Sequence, residues 1–265
     1  MNRSLETKYK RLLHEIIRDG VHRNDRTGVG SSSLFSKTLE FNFDRGTLPI
    51  ITGRKMYHKI WDAEYDWFMA GHTNIKELQE KGVTIWNEWA DKNGDLGPVY
   101  GHQLRNWNSK GIDQLKSVIE SLRSDPDSRR HIISLWNPEQ LPDMKLPPCY
   151  NYFQFFVDKD DKLNLFVNMR SADLFLGVPY DLMLFTRILF YVAGEAGYMI
   201  PGKLKLHMTD VHVYDNQLEA VEEFMSQPIY DELRYHYDDE NHTIEYIDSK
   251  EHNKKVKSIT APVAV

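Results

Sequence analysis

A single cysteine, Cys149, stands in this chain of 265 residues, so no disulfide can form within it. That fits a reducing compartment. Long apolar runs are lacking as well. The most apolar stretch, LMLFTRILFYVAG, is too short to span a bilayer and carries Arg187 in its middle. The N-terminal MNRSLETKYKRLL has no signal-peptide core. These absences predict a soluble, cytoplasmic protein with no membrane partner. Positive charge is not in excess either: the formal net charge is −6, with both signs mixed along the chain. Non-specific nucleic-acid binding needs a basic field to displace counterions, so no nucleic-acid partner is expected. Any anion must be met by local arginines. Neither HExxH nor another metal-ligand spacing occurs, so no metal is expected. No repeat, low-complexity segment or linker divides the chain, and with 41% hydrophobic residues it can bury one large core. The expectation is a single domain over residues 1–265.

What is present reads as α+β, a mixed sheet flanked by long helices. Leu5, Tyr9, Leu12, Leu13 and Ile16 recur at helical spacing, and Gly20 stops that helix. Residues 33–43 alternate and predict a strand. Helices are expected near 56–70 and 113–123. HIISLW (131–136) reads as a buried strand, and 152–157 with 162–169 reads as a hairpin turned by DKDD. Residues 181–196 predict an apolar helix opened by Asp181, a preferred cap residue. Residues 203–208 predict a strand and 212–226 an amphipathic helix. The last 20 residues read as strand and then tail.

Cys149 sits in LPPCYN, at the head of the hairpin. Taken alone, a lone cysteine is more often a small buried hydrophobe than a nucleophile. Arginine's planar fork suits phosphate, and Arg26 in DRTGVG, the pair Arg129 and Arg130 in DPDSRRH, and Arg170 beside Ser171 are candidates. Each by itself is more often a surface charge, but together their positive field would also favour the thiolate. Glu64 borders the apolar face of the 56–70 helix, as a buried acid–base group or a solvated position. His212 and Tyr214 fall at a strand-to-helix junction and suit a sugar hydroxyl. Trp86 and Trp89 lie in a turn-rich segment, where part-exposed rings form a flat surface for a ligand or simply pack.

Taken together, DRTGVG, IWNEWADKNGDLGPVYGHQ, DPDSRRHIISLWNP, LPPCYNYFQFFV, MRSADLFLGVPYDL, DVHVYDNQ and the terminal APVAV resemble the thymidylate synthase family, in that family's order, from about residue 4 to Val265. The resemblance implies a thymidylate synthase-like fold and 5,10-methylenetetrahydrofolate as co-substrate. It implies that Cys149 adds to carbon 6 of a pyrimidine nucleotide, with Glu64 as acid–base group and Tyr100 beside them. Arg26, Arg170, Ser171 and the partner subunit's copies of Arg129 and Arg130 would cradle the phosphate, which makes the protein a homodimer. Asp173, His212 and Tyr214 would complete the nucleotide site. Ile85, Trp86, Trp89, Asp173, Leu176, Gly177, Tyr180 and Val265 would hold folate, and residues 261–265 would close over both substrates.

Two positions depart from the thymidylate synthases. Asp181 stands where they have asparagine, and Tyr150 where histidine follows the nucleophile. An asparagine amide suits uracil. An aspartate sharing one proton with the base suits cytosine. These departures, and the string VNMRSAD, resemble the deoxycytidylate hydroxymethylase branch, which implies deoxycytidylate (dCMP) as substrate and 5-hydroxymethyl-dCMP as product. Intact Trp86, Trp89 and APVAV look more like a methylating enzyme, so dCMP methylation stays open, as does thymidylate synthesis from deoxyuridylate. A silent RNA-binding regulator is the non-enzymatic alternative, disfavoured by the acidic charge and the complete residue set.

Overall fold

The computed structural model describes residues 4–24, 27–197, 200–238, 243–247 and 249–264. Helix α1 (Leu5–Asp19) is followed by strands β1 (Val21–Arg23) and β2 (Ser31–Asn42). Helices α2 (His58–Met69), α3 (Lys76–Glu80), α4 (Tyr100–Arg105) and α5 (Gln114–Ser124) lead to β3 (Ile132–Ser134), β4 (Tyr150–Val157), β5 (Leu163–Met169) and β6 (Ala172–Asp173). Helix α6 (Gly177–Ala196), strand β7 (Pro201–Tyr214), helix α7 (Leu218–Ser226), the hairpin β8 (Tyr235–Asp238) and β9 (Thr243–Tyr246), and helix α8 (Ser249–Lys255) complete the order.

The main sheet runs β1-β2-β7-β5-β4-β3, with β6 also on β7. Pairing is antiparallel except where β5 and β6 lie parallel to β7, so the expected α+β fold with a mixed sheet is what the chain adopts. Alternation decides the faces. Phe153 and Phe155 of β4, Leu163, Leu165 and Val167 of β5, and Leu204, Leu206 and Met208 of β7 are buried, and α1 and α6 pack on this sheet. Their strand neighbours Tyr152, Phe166 and His207 stay part-exposed, and Phe156 is exposed. These aromatics touch one another, Tyr152 to Phe166 at 6.4 Å and Phe166 to His207 at 6.3 Å between ring centres.

Helix α6 begins four residues earlier than its apolar pattern predicts. Pro179 is tolerated because the first-turn N–H groups have no intrahelical acceptor to lose. Asp173 orders the turn before it, its Oδ1 accepting the N–H groups of Phe175 and Leu176, each at 3.0 Å. Leu176, not Asp181, occupies the cap position, and no side chain caps the helix. The cap role predicted for Asp181 is thereby overturned: it lies in the second turn. Arg187 of α6 is spent locally. It pairs with Asp62 and lies over the Tyr65 ring at 4.0 Å. Among the described residues no helix is long and apolar enough to cross a membrane.

Three other expectations fail. The strand predicted over 203–208 continues to Tyr214, because Ser31, Ser32 and Ser33 of β2 keep pairing with it. The helix predicted from 212 therefore starts only at Leu218, after a 3-10 turn over Asp215–Gln217. The last 20 residues contain helix α8 rather than a strand. Its one buried anchor, His252, has Nε2 2.9 Å from the Thr52 carbonyl oxygen.

One buried carboxylate shapes the approach to the site. Glu6 of α1 accepts the N–H groups of Thr52 and Gly53, at 2.6 and 2.9 Å, and the Thr52 hydroxyl. A side chain at Gly53 would collide with that carboxylate and with Phe224. The next residue, Arg54, is buried. Glu6→Ala removes the shared acceptor and leaves buried donors unpaired, so we expect a loss of about 3 kcal/mol in urea unfolding and faster proteolysis near Arg54.

Candidate active site

The α2 and α6 helices, the carboxyl end of β5 and the C-terminal segment enclose a cavity of about 880 Å³. This is toward the upper end of the range for small-molecule sites. Cys149 lies on its wall, placed by two backbone bonds. Its N–H donates to the Tyr100 hydroxyl oxygen at 2.8 Å, and its carbonyl accepts from the Arg170 N–H at 2.8 Å. The Arg170 guanidinium donates to the carbonyls of Pro148 and Pro147, at 2.8 and 2.7 Å, and sits 5.5 Å from the Trp136 ring centre. Arg170 and Ser171 both line the cavity.

Glu64 is buried, and the Trp86 indole N–H donates to its Oε1 at 2.9 Å. Burial raises the Glu64 pKa to about 7, against which the Trp86 bond pulls down. Asp181 also lines the cavity. Loss of hydration, then the charges of Glu64 and Asp173, raise its pKa well above the ordinary carboxylate range and favour the neutral acid. Its side chain makes no hydrogen bond to another described residue, and its Oδ2 faces the bare Cα of Gly177. Burial, and next the charge of Cys149, push the buried Tyr100 hydroxyl up as well.

On the opposite strand, β2–β7 pairing sets Ser33 opposite His212 and Ser31 opposite Tyr214. His212 Nδ1 lies 3.1 Å from Asp210 Oδ1. A donor at Nδ1 leaves Nε2 as an acceptor. Asp173 lines the cavity, but both oxygens are engaged, Oδ2 accepting from the Gln217 amide at 2.8 Å. Trp86 proves buried, not part-exposed as its turn-rich surroundings predict, because it packs against Trp67, Trp89 and Tyr100 in tilted and edge-on contacts. Trp89 is part-buried, and its indole N–H has no partner among the described residues. Ile85, Leu176, Gly177 and Tyr180 join it on the wall.

Arg129 and Arg130 are exposed and do not line this cavity. Arg26 and Val265 lie outside the described residues. The tail up to Ala264 does reach the cavity, with Ile259 and Ala264 buried. It is fastened by the Lys55 N–H donating to the Lys257 carbonyl at 2.9 Å. The sequence reading missed Arg54, Lys55, Arg23 and Trp136, all on the wall. GRK at 53–55 carried a weak signal, two cations after a glycine at the end of an apolar run.

Over residues 7–265 the chain matches the family model described as thymidylate synthase. The chain belongs to the thymidylate synthase family. With membership comes folate-dependent one-carbon transfer to a pyrimidine nucleotide, with methylenetetrahydrofolate as co-substrate. The unpartnered Trp89 N–H and the aromatic wall fit a flat heterocycle with a hydrogen-bond acceptor. Among the described residues no group of three or more His, Cys, Asp or Glu side chains is gathered to hold a metal.

Glu64 provides a direct check on this electrostatic setting. Below about 4.5, its ordinary pKa, folded and unfolded chains both hold the proton, and above about 7 neither does. Between the two only the folded chain holds it, so stability from this group falls as pH rises through that window. Glu64→Gln removes the titration and keeps the Trp86 acceptor. Relative to wild type, the variant should gain about 3 kcal/mol in unfolding free energy between about pH 4 and about pH 8.

Proposed function

We propose that the chain is a homodimeric dCMP hydroxymethylase. Cys149 attacks carbon 6 of the base, which makes carbon 5 nucleophilic toward a one-carbon unit. Methylenetetrahydrofolate supplies that unit. Glu64, with a pKa near neutrality, exchanges protons during ring activation. Arg170 and Ser171, with Arg26, take the phosphate. His212 and Tyr214 take the sugar hydroxyl, and the closed tail keeps bulk water out.

The observation that carries the choice of base is Asp181. It is not a helix cap, it has no described hydrogen-bond partner, and its surroundings favour the protonated form. A neutral carboxyl offers one donor and one acceptor, so by bond count alone it pairs with either pyrimidine. The proton separates them. Cytosine nitrogen 3 is unprotonated and basic and takes it, which draws electrons from the ring and favours thiolate addition. Uracil nitrogen 3 already carries a proton. Asp181→Asn keeps the size and loses the acid. It should shift the ratio of kcat/KM for dCMP over deoxyuridylate on the order of a hundredfold toward deoxyuridylate. A wild type that already prefers deoxyuridylate would refute the cytosine assignment. Product mass separates hydroxymethyl from methyl by one oxygen. The methylating alternative is favoured by one feature, the intact tryptophan wall around Glu64.

Dimerisation has its own support. Arg129 and Arg130 lie away from their own chain's cavity, and the Gln154 amide donates to the Arg129 carbonyl at 3.4 Å. That bond sets the pair at the border of the sheet face bearing exposed Phe156. In the proposed dimer two such faces meet and the arginines enter the partner's site. Cys149→Ala and Arg130→Ala chains, each inactive alone, should regain activity when mixed under subunit exchange. No recovery after proven exchange refutes shared sites.

A further inference from the structure

Tyr150 follows Cys149 directly, opens β4 and lines the cavity. Its ring is held on several sides, 4.5 Å from the Tyr100 ring, 4.9 Å from Phe185 and 6.1 Å from Phe68 and Phe153. The residue is 5% exposed, and its hydroxyl is buried with no hydrogen-bond partner among the described residues. Packing explains the ring but not the oxygen. A buried hydroxyl without a partner costs stability that phenylalanine at this place would not cost. Such a group in a native protein calls for a water or a ligand atom.

The groups around it indicate which. Burial, then the charges of Glu64, Tyr100, Asp181 and Cys149, hold the Tyr150 proton tightly. The hydroxyl is therefore a standing donor in a cavity whose wall Glu64 shares. Glu64 Oε1 is taken by the Trp86 N–H, which leaves Oε2 to accept from a ligand. A water bridging the two would donate one hydrogen to Glu64 and accept the Tyr150 O–H, with a lone pair left toward the cavity.

We propose that Tyr150 is a positioning residue that, with Glu64, holds the water consumed in forming the hydroxymethyl group. This rests on the hydroxymethylase reading. After the one-carbon unit has passed to the base, ring carbon 5 bears an exocyclic methylene and carbon 6 still bears the Cys149 sulfur. The water oxygen bonds to the methylene carbon, and its proton passes to the Glu64 carboxylate. The methylene π pair moves into the ring, carbons 5 and 6 become doubly bonded, and the carbon–sulfur bond breaks to release the Cys149 thiolate. Water is the only co-reactant, and nothing is oxidised or reduced. Without the donor at Tyr150, the water has one anchor instead of two and attacks less often.

Tyr150→Phe keeps the ring and removes one oxygen. With dCMP tritiated at carbon 5 and methylenetetrahydrofolate, tritium release counts ring activation and mass spectrometry counts the product. Wild type should give hydroxymethyl product and tritium release in near-equal amounts. In Tyr150→Phe the ratio of product to tritium release should fall at least about tenfold, with the methylene intercepted as a thiol adduct when 2-mercaptoethanol is present. A purely structural role would lower both together, and an unchanged ratio overturns the proposal while leaving the hydroxymethylase reading intact. A methyl product from wild type overturns that reading and this one with it. The crystal structure of wild type with dCMP gives a test that does not need the variant to fold. An ordered water bonded to Tyr150 Oη supports the proposal, and its absence overturns it.

Discussion

A carboxylate stripped of most of its water, Glu64, anchors the site. Its single described side-chain partner is the Trp86 indole, so its charge is poorly compensated and its pKa climbs to about 7. That one condition explains much of what surrounds it. Trp67, Trp89 and Tyr100 pack against Trp86 and keep the bond dry. Asp181, sharing the cavity, is driven toward its neutral form partly by Glu64 itself. Two acids close together in a low-dielectric wall cannot both ionise cheaply, so protons stay available there at neutral pH.

The sheet makes this setting possible by bringing distant segments to one wall. The long β7 strand pairs with β2 on one side and with β5 and β6 on the other. It thereby brings His212 and Tyr214 to the same wall as Arg170, Ser171 and Cys149 at the head of β4. The Asp173 carboxylate joins two of these segments, since it accepts from the turn before α6 and from Gln217 after β7. Its visible work is to fix the wall, and any ligand contact comes in addition.

The hairpin of β4 and β5, the first helix and the place of Cys149 at the head of the hairpin were legible because local patterns specify them: alternation, spacing and a Pro-Pro-Cys approach. Asp181 was misread for a local reason too. Aspartate favours caps and proline favours helix starts, but the turn set by Asp173 lets α6 begin earlier and moves Asp181 inside. Arg54 was illegible because its burial depends on Glu6, which is remote in sequence and reaches it only through the fold. Trp86 read as part-exposed because a turn-rich segment carries no periodicity to reveal the aromatic stack around it. Tyr150 could be seen as unusual from sequence, but that its hydroxyl lacks a partner is a fact of packing.

The guanidinium of Arg170 grips the carbonyls of Pro147 and Pro148, and its own N–H holds the Cys149 carbonyl. A cation on the cavity wall is thus bolted to the segment carrying the Cys149 sulfur. A negatively charged group drawn to Arg170 would act on a short, stiff lever whose other arm is the Cys149 sulfur. Occupancy at one end is felt at the other with little slack between. A substrate analogue lacking the anion would then be handicapped in how well the sulfur is aimed, beyond any weakness in how long it stays.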